Sequence, residues 1–129
     1  MTLTVHNPAS SAAPLGAYSN GMSAPAGGRW LHIAGQVGVE PDGRVADGFA
    51  AQAEAAWRNL FAVLADAGMG ANDLVKVTHY LLSRDDLAAY NAVRARFLGA
   101  ARPASTLVVV ASLAKPEWRI EVEALAWRS

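Results

Sequence analysis

The stretch RIEVEALAW, residues 119–127, alternates apolar and polar side chains, which is the pattern of a β-strand with one buried face. The apolar positions that share one side of this strand are Ile120, Val122, Ala124 and Ala126. Glu121 and Glu123 lie on the other side. We therefore predict a strand that packs one side on the core and presents two carboxylates on the other.

Two helical segments are predicted upstream of this strand. Apolar residues recur at spacings of three and four over residues 49–64 and again over residues 87–98. Asp47 is the expected N-cap of the first helix, and Gly68 is its expected end. Gly99 is expected to end the second helix in the same way.

Further strands are predicted at residues 3–5, 17–23, 30–34, 74–83 and 105–111. The last of these is a nearly continuous apolar run, which is typical of a strand buried on both faces. If it pairs antiparallel with the final strand, every second residue from Ser105 onward shares a face with Glu121 and Glu123. Such a mixed apolar and acidic face suits an oligomer interface with a polar cleft at its edge. The order of elements predicts an α+β fold, with a mixed β-sheet and both helices on one face.

The composition is that of a neutral and rather apolar chain. Its 129 residues suffice for a single domain, residues 1–129, with its own core. Because 53% of the residues are hydrophobic, we expect a second subunit to cover part of the surface. Eleven basic and eleven acidic residues cancel, which argues against nucleic acid or a membrane as a partner. Since there is neither a signal-peptide pattern nor an apolar run of about 20 residues, we expect a cytoplasmic protein.

Few residue groups carry recognisable chemistry. The chain has no cysteine, and His6, His32 and His79 lack metal-ligand spacing, so no metal site is predicted. A lone histidine in an apolar strand, such as His79, is more often a hydrogen-bonded core or interface residue. No Gly-x-Ser-x-Gly or phosphate-loop pattern is present. For Glu121 and Glu123 two interpretations stay open: a solvated strand edge, or a cleft in which a carboxylate orients water or accepts a proton.

Several short elements follow one another in a characteristic order along nearly the whole chain. They are Asn7-Pro8, GAYSNG at 16–21, IAGQV at 33–37, Gln52, Asn59-Leu60, Tyr90-Asn91, Pro103-Ala104 and IEVEA at 120–124. Together they resemble the Rid family of reactive intermediate deaminases, also called the YjgF family. The resemblance implies a fold like that of chorismate mutase, and a homotrimer with a central β-barrel and clefts between subunits. It also implies hydrolysis of enamines or imines to a 2-oxo acid and ammonia, without a cofactor.

The resemblance also suggests roles for individual residues. It implies that Glu121 is catalytic, as the carboxylate that positions the attacking water. It implies that Tyr18, Gly35 and Asn91 bind the substrate. Ser105 also belongs to the predicted binding site, but it stands where deaminating members carry an arginine that holds the substrate carboxylate. A serine hydroxyl cannot replace the two parallel charge-assisted hydrogen bonds of an arginine.

Three functional hypotheses follow from this departure. The first is a cleft that binds or hydrolyses a small metabolite other than the usual 2-iminoacid. The second is a true enamine or imine deaminase with a rebuilt carboxylate clamp, for which Arg102 is a candidate. The third is a non-enzymatic, chaperone-like or RNA-cleaving protein, which the zero net charge disfavours for RNA. Arg94 and Arg96, two residues apart on the second helix, are interpreted as a solvated helix surface.

Overall fold

The computed structural model describes residues 2–129, and its helices and strands follow the predicted order. The elements are β1 (Thr4–His6), β2 (Gly21–Ser23), β3 (Arg29–Val37), α1 (Phe49–Asp66), β4 (Leu74–Leu81), α2 (Leu87–Leu98), β5 (Ala104–Val109) and β6 (Ile120–Arg128). Short 3-10 turns precede β4 and α2. Within this part of the chain, no helix combines the length and the apolar character needed to cross a bilayer. The prediction of an α+β fold with two helices is confirmed.

The main sheet has four strands in the order β3-β6-β4-β5, and a separate two-stranded sheet pairs β1 with β2. β6 runs antiparallel to both β3 and β4. β5 runs parallel to β4, and α2 forms the crossover between these two strands. A parallel pair needs such a long connection because the chain must return to the starting end of the first strand. The sheet is therefore mixed, as predicted.

The antiparallel pairing of β5 with the final strand, on which the predicted sheet face was conditional, does not occur. β5 pairs with β4, and Ser105 lies opposite Val77, a core residue that is 1% exposed. Because side chains alternate along a strand, Ser105 faces the helices, whereas Glu121 and Glu123 face the opposite side of the sheet. The physical reason is the α2 crossover, which places β5 parallel to β4 at the edge of the sheet.

The position of β5 at the sheet edge also corrects its predicted burial. Val108 is 38% exposed and Val109 is 46% exposed, so β5 is not buried on both faces in a single chain. Edge strands leave one row of backbone groups unpaired and usually need a cover. The continuous apolar sequence of β5 therefore leaves apolar side chains exposed on the single chain.

The core fills the space between the two helices and one face of the sheet. Aromatic residues dominate its centre: Trp57 is fully buried and stacks on Phe97, with 5.9 Å between ring centroids. Phe61 meets both rings edge to face. The sheet contributes the buried side chains Val77, Leu81, Ile120, Val122, Ala124 and Ala126. Four of these belong to the alternating stretch of β6, so that prediction is confirmed.

The ends of α1 agree only in part with the sequence. Gly48 precedes the first helical residue, at φ 85°, and no side chain caps the helix there. The prediction that Asp47 is the N-cap was wrong because the turn at Gly48 leaves Asp47 one position too early. The C-terminal prediction is confirmed, since Gly68 has φ 71° and its N–H donates to the carbonyl of Ala65 at 3.0 Å.

Two amide side chains of α1 form hydrogen bonds with the backbone segments next to β3 and β6. Gln52, which is 3% exposed, donates to the carbonyl of Glu117 at 3.0 Å and accepts from the N–H of Arg119 at 2.9 Å. Asn59 donates to two carbonyls near the end of β3, at 3.2 and 2.8 Å. These bonds satisfy backbone groups just before β6 and after β3, and so they fix where both strands begin and end.

The sheet face away from the helices carries mixed side chains that are all partly exposed. On β4 and β6 they are Lys76, Thr78, Tyr80, Glu121, Glu123 and Leu125. They include a cation, two carboxylates, two hydroxyls and an aliphatic group. The sequence predicted a mixed apolar and acidic face here. That prediction also placed Ser105 and every second residue after it on this face, whereas the structure places them on the opposite face.

Gly38 offers a direct test of how closely α1 packs on the chain after β3. A Cβ atom on Gly38 would lie 2.5 Å from the Cα of Gln52, which is closer than real Cβ contacts allow. We expect Gly38→Ala to lower the free energy of unfolding by about 1–3 kcal/mol, as overpacking does in other cores. Chemical denaturation measures this change.

Gly70→Ala is the matched control for that experiment. Gly70 has no heavy atom within 4 Å of a built Cβ and no positive φ. Its substitution should leave the denaturation midpoint close to that of the unmodified chain. Equal midpoints for the two variants would contradict the close packing at Gly38.

Candidate functional site

A cleft of about 400 Å³ lies between the loop before β2, the outer side of α2 and β5. Three of the predicted site residues, Tyr18, Asn91 and Ser105, line it together with Arg94. We call this group the donor cleft, because each of these side chains carries an N–H or O–H group. Leucine side chains complete the wall.

The loop before β2 is held against the start of β5 by a buried serine. Ser19 is 2% exposed, and its N–H donates to the carbonyl of Pro103 at 3.0 Å. Its hydroxyl donates to the carbonyl of Arg102. These two bonds place Tyr18, the preceding residue, beside Ser105 at the mouth of the donor cleft. A buried polar side chain satisfied in this way fixes the loop position.

α2 contributes Asn91 and Arg94, which lie one turn apart and therefore on the same side of the helix. Arg94 Nη2 donates to Asn91 Oδ1 at 2.9 Å, and its Cζ atom lies 5.8 Å from the centroid of the Tyr90 ring. Arg94 was interpreted as solvated helix surface; in the structure it is partly exposed and lines the donor cleft. Its spacing of three residues from Asn91 was the signal that could have found it.

Behind Ser105 runs a buried chain of hydrogen bonds. Trp57 Nε1 donates to Tyr90 Oη at 3.2 Å, and Tyr90 Oη contacts His79 Nδ1. His79 Nε2 lies 2.9 Å from Ser105 Oγ. Trp57, Tyr90 and His79 are each at most 1% exposed, whereas Ser105 is partly exposed in the donor cleft. His79 is thus a hydrogen-bonded core residue, as predicted for a lone histidine in an apolar strand.

Burial determines the protonation states of the two titratable side chains in this series of hydrogen bonds, His79 and Tyr90. Burial, followed by the charges of Arg94 and Lys76, lowers the pKa of His79 from 6.5 to about 3. Burial likewise raises the pKa of the Tyr90 hydroxyl. Both side chains are therefore neutral at physiological pH.

The remaining predicted residues, Gly35 and Glu121, come together on the opposite face of the sheet. The pairing of β3 with β6 shifts register between Ile33 and Gln36, so Gly35 sits in an irregular segment. A Cβ atom at Gly35 would lie 2.7 Å from Glu121 Cδ and nearer still to a carboxylate oxygen. Glycine at this position therefore makes the space that the Glu121 carboxylate occupies.

The two carboxylates of β6 differ in their partners. The Tyr80 hydroxyl donates to Glu123 Oε1, and this bond raises the pKa of Tyr80. No side chain or N–H group within residues 2–129 donates to the carboxylate of Glu121. A cleft of about 310 Å³ is lined by Tyr80, Glu121 and Glu123, and we call it the carboxylate cleft. In it, Glu121 keeps both oxygens free to accept hydrogen bonds.

The structure thus separates the predicted site residues into two groups. Tyr18, Asn91 and Ser105 line the donor cleft, and Glu121 lines the carboxylate cleft with Gly35 beside it. Since the groups lie on opposite faces of the sheet, they do not meet within one chain. Arg102, the candidate for a rebuilt clamp, lines neither cleft and donates instead to the carbonyls of Gly99 and Ala101, both at 2.8 Å.

Comparison with known proteins identifies the family of the chain. The family model described as Endoribonuclease L-PSP matches residues 9–128. A RutC family protein of Pyrococcus horikoshii is 38% identical over 117 residues, which cover 89% of this chain and 90% of that protein. The chain belongs to the Rid family, also called YjgF.

Other Rid family proteins are similar to the chain in sequence and in structure. The 2-iminobutanoate/2-iminopropanoate deaminase of Salmonella typhimurium is 35% identical over 120 residues, covering 90% of this chain and 91% of that enzyme. A Rid family protein of unknown function from Yersinia pestis superposes with a TM-score of 0.88 at 34% identity, covering 99% of this chain and 100% of that one. The YjgF protein of Escherichia coli superposes with a TM-score of 0.73 at 33% identity, covering 90% of this chain and 91% of that one. The predicted family and fold are therefore confirmed.

The neutral state of His79 predicts a loss of stability in acid. Below pH 6.5 the unfolded chain binds a proton at this histidine, and the folded chain does not until about pH 3. The unfolded state then binds more protons, so stability falls as the pH drops through this window, by about 1.4 kcal/mol per pH unit. Denaturation between pH 7 and pH 4.5 measures the slope.

His79→Gln separates this contribution from the titration of carboxylates. Glutamine can donate and accept a hydrogen bond but does not titrate, so the slope should become shallower by about one proton. His6→Gln, at an exposed position, is the matched control and should keep the original slope. Parallel slopes for all three chains would show that His79 does not carry the effect.

Proposed function

We propose that this chain binds a small imine or enamine in a cleft formed between copies of itself, and hydrolyses it with a water molecule positioned by Glu121. The observation that carries the proposal is the separation of a donor cleft from the Glu121 carboxylate on two faces of one sheet, with no group in residues 2–129 donating to that carboxylate. The likeness to a Salmonella enzyme named for 2-iminobutanoate and 2-iminopropanoate deamination supports the reaction class.

Each side of the proposed site supplies a different part of the chemistry. Hydrolysis of an imine adds water to the carbon of the C=N bond, and ammonia then leaves as the carbonyl forms. Glu121 would accept the proton from the attacking water and pass it to the imine nitrogen, which is general base and then general acid catalysis. It would then carry the hydroxyl proton of the water adduct to the same nitrogen, so that ammonia leaves as the carbonyl forms. The side chains of Tyr18, Asn91 and Ser105 would hold and orient the substrate.

The proposed site needs two copies of the chain. The donor cleft of one copy can meet Glu121 of a neighbour only if the open sheet face or the β5 edge is covered by that neighbour. Exposed apolar groups at these places support such an interface: Trp30 is 50% exposed, and Val108 and Val109 are 38% and 46% exposed. We propose the homotrimer that the sequence resemblance implies, with residues 1–129 as one domain. The cytoplasmic location stays a prediction.

Two substrate hypotheses remain, and the position of Arg94 favours a 2-iminoacid. A metabolite other than a 2-iminoacid fits the replacement of the expected arginine by Ser105. A 2-iminoacid requires a cation in the binding cleft, and Arg94 lines the donor cleft while Arg102 does not. The description Endoribonuclease belongs to the family model, and the zero net charge of this chain speaks against transferring it.

Light scattering tests the assembly. We expect a mass of three times the 13.5 kDa of one chain. Val108→Asp places a charge on the partly exposed apolar edge strand, and it should reduce the mass because burying an unpaired charge is costly. A mass of one chain for the unmodified protein would contradict the proposed interface.

Hydrolysis is tested with imines that an amino-acid oxidase generates in the assay and that semicarbazide traps. The protein should compete with the trap, and Glu121→Gln should lower the rate about a hundredfold or more, as loss of a general base does. Glu117→Gln, at an exposed glutamate, is the matched control and should keep the full rate. No acceleration by the unmodified chain would overturn the proposed function.

A further inference from the structure

In the series of buried hydrogen bonds behind Ser105, only one assignment of donors and acceptors is consistent. The indole N–H of Trp57 can only donate, so Tyr90 Oη accepts from it. The Tyr90 hydroxyl hydrogen is buried, and the acceptor it contacts is His79 Nδ1. A buried hydroxyl left without an acceptor would be costly, so Tyr90 donates to His79.

This direction fixes the tautomer of His79 and the orientation of Ser105. A neutral imidazole that accepts at Nδ1 carries its hydrogen on Nε2. Nε2–H therefore donates to Ser105 Oγ, 2.9 Å away. The Ser105 hydroxyl hydrogen cannot point back toward His79, and it is left to donate into the donor cleft. Ser105 is accordingly a directed hydrogen-bond donor, and His79 cannot act as a base toward it.

Arg94 brings a cation without an acidic partner to the same cleft. The arginines at positions 58, 96, 119 and 128 each lie within 4.0 Å of a carboxylate. Over residues 2–129, Arg94 instead has one side-chain bond, to the neutral amide of Asn91. No aspartate or glutamate lines the donor cleft. The guanidinium thus keeps donors available for a ligand.

We propose that Arg94 and the Ser105 hydroxyl together form a clamp for a small oxyanion, and that Trp57, Tyr90 and His79 are positioning residues that keep Ser105 a donor. The inference rests on the proposed function and names its substrate class: an organic acid whose carboxylate occupies the donor cleft. Charge-assisted bonds from a guanidinium suit a carboxylate or a phosphate. The volume of about 400 Å³ and the leucine walls suit a small molecule with an aliphatic part.

Binding without turnover tests the clamp separately from catalysis. Pyruvate is the carboxylate probe, methyl pyruvate is its neutral counterpart, and inorganic phosphate is the second oxyanion; calorimetric titration measures all three. We expect pyruvate to bind and methyl pyruvate to bind at least tenfold more weakly. Arg94→Gln should weaken pyruvate binding about tenfold or more, as loss of a charge-assisted bond does.

Arg96→Gln is the matched control for Arg94. It removes a guanidinium from the same helix, two residues further on, where Arg96 lies near Glu54 and outside the donor cleft. Pyruvate should bind this variant as it binds the unmodified chain. Equal weakening by both substitutions would show a general effect of charge and would overturn the clamp, as would unchanged binding in Arg94→Gln.

The positioning role is tested by comparing His79→Phe in two backgrounds. Ser105→Ala should weaken pyruvate binding several-fold, because it removes one hydrogen bond to the anion. His79→Phe should weaken binding in the presence of Ser105 and have no further effect in Ser105→Ala. A purely structural effect of His79 would instead weaken binding equally in both backgrounds. If His79→Phe does not fold, His79→Gln replaces it, and it should keep pyruvate binding because glutamine can donate to Ser105. Arg94→Gln and Ser105→Ala still test the clamp itself.

The outcomes separate this inference from the proposed function. Pyruvate binding that depends on Arg94, in a protein that does not hydrolyse imines, would support the clamp and overturn the hydrolase. Hydrolysis of 2-iminoacids that is indifferent to Arg94→Gln would support the hydrolase and overturn the clamp. Tighter binding of phosphate than pyruvate, also lost in Arg94→Gln, would confirm an oxyanion clamp and assign it to a phosphate group. No binding of either anion by the unmodified chain would overturn it.

Discussion

The position of β4 between β6 and β5 is the constraint on which the rest of the arrangement depends. Its buried side chains alternate with partly exposed ones, and both neighbours must follow that alternation to hydrogen-bond with it. β5 joins through α2 and runs parallel, whereas β6 joins antiparallel. Register alone then assigns Ser105 to the helix side and Glu121 to the open side. A slip of one residue in either pairing would reverse these assignments.

The local patterns of the fold could be predicted from the sequence, but the order of neighbouring strands in the sheet could not. The alternation of residues 120–126 and the glycines after both helices are local signals, and the structure agrees with them. The pairing of β5 depends on a contact between segments separated by a helix, which periodicity does not encode. Sequence reasoning therefore placed Ser105 on the wrong face. The family resemblance compensated in part, because it selected Tyr18, Asn91 and Ser105 without any knowledge of the register.

Arg94 was missed for a related reason. A charged residue on an amphipathic helix is usually solvated, and only the location of β5 and the loop before β2 turns this part of α2 into the wall of a cleft. The buried chain from Trp57 to Ser105 was equally hidden, because its members come from α1, α2, β4 and β5. No spacing rule connects residues on four elements. His79 alone gave a signal, as a polar residue in an apolar strand.

The separation of the two clefts also has an electrostatic consequence. An arginine and a glutamate that can reach each other tend to pair, as Arg58 and Glu40 do at 3.1 Å. A pair of that kind between Arg94 and Glu121 would satisfy both groups and leave little for a ligand. The four-stranded sheet lies between them and prevents this collapse within one chain, so the cation and the carboxylate both stay available. In the active site proposed above, which is assembled from two copies, the opposite charges would lie at separate ends of one substrate, with the substrate carboxylate at the cation and the reacting carbon toward Glu121.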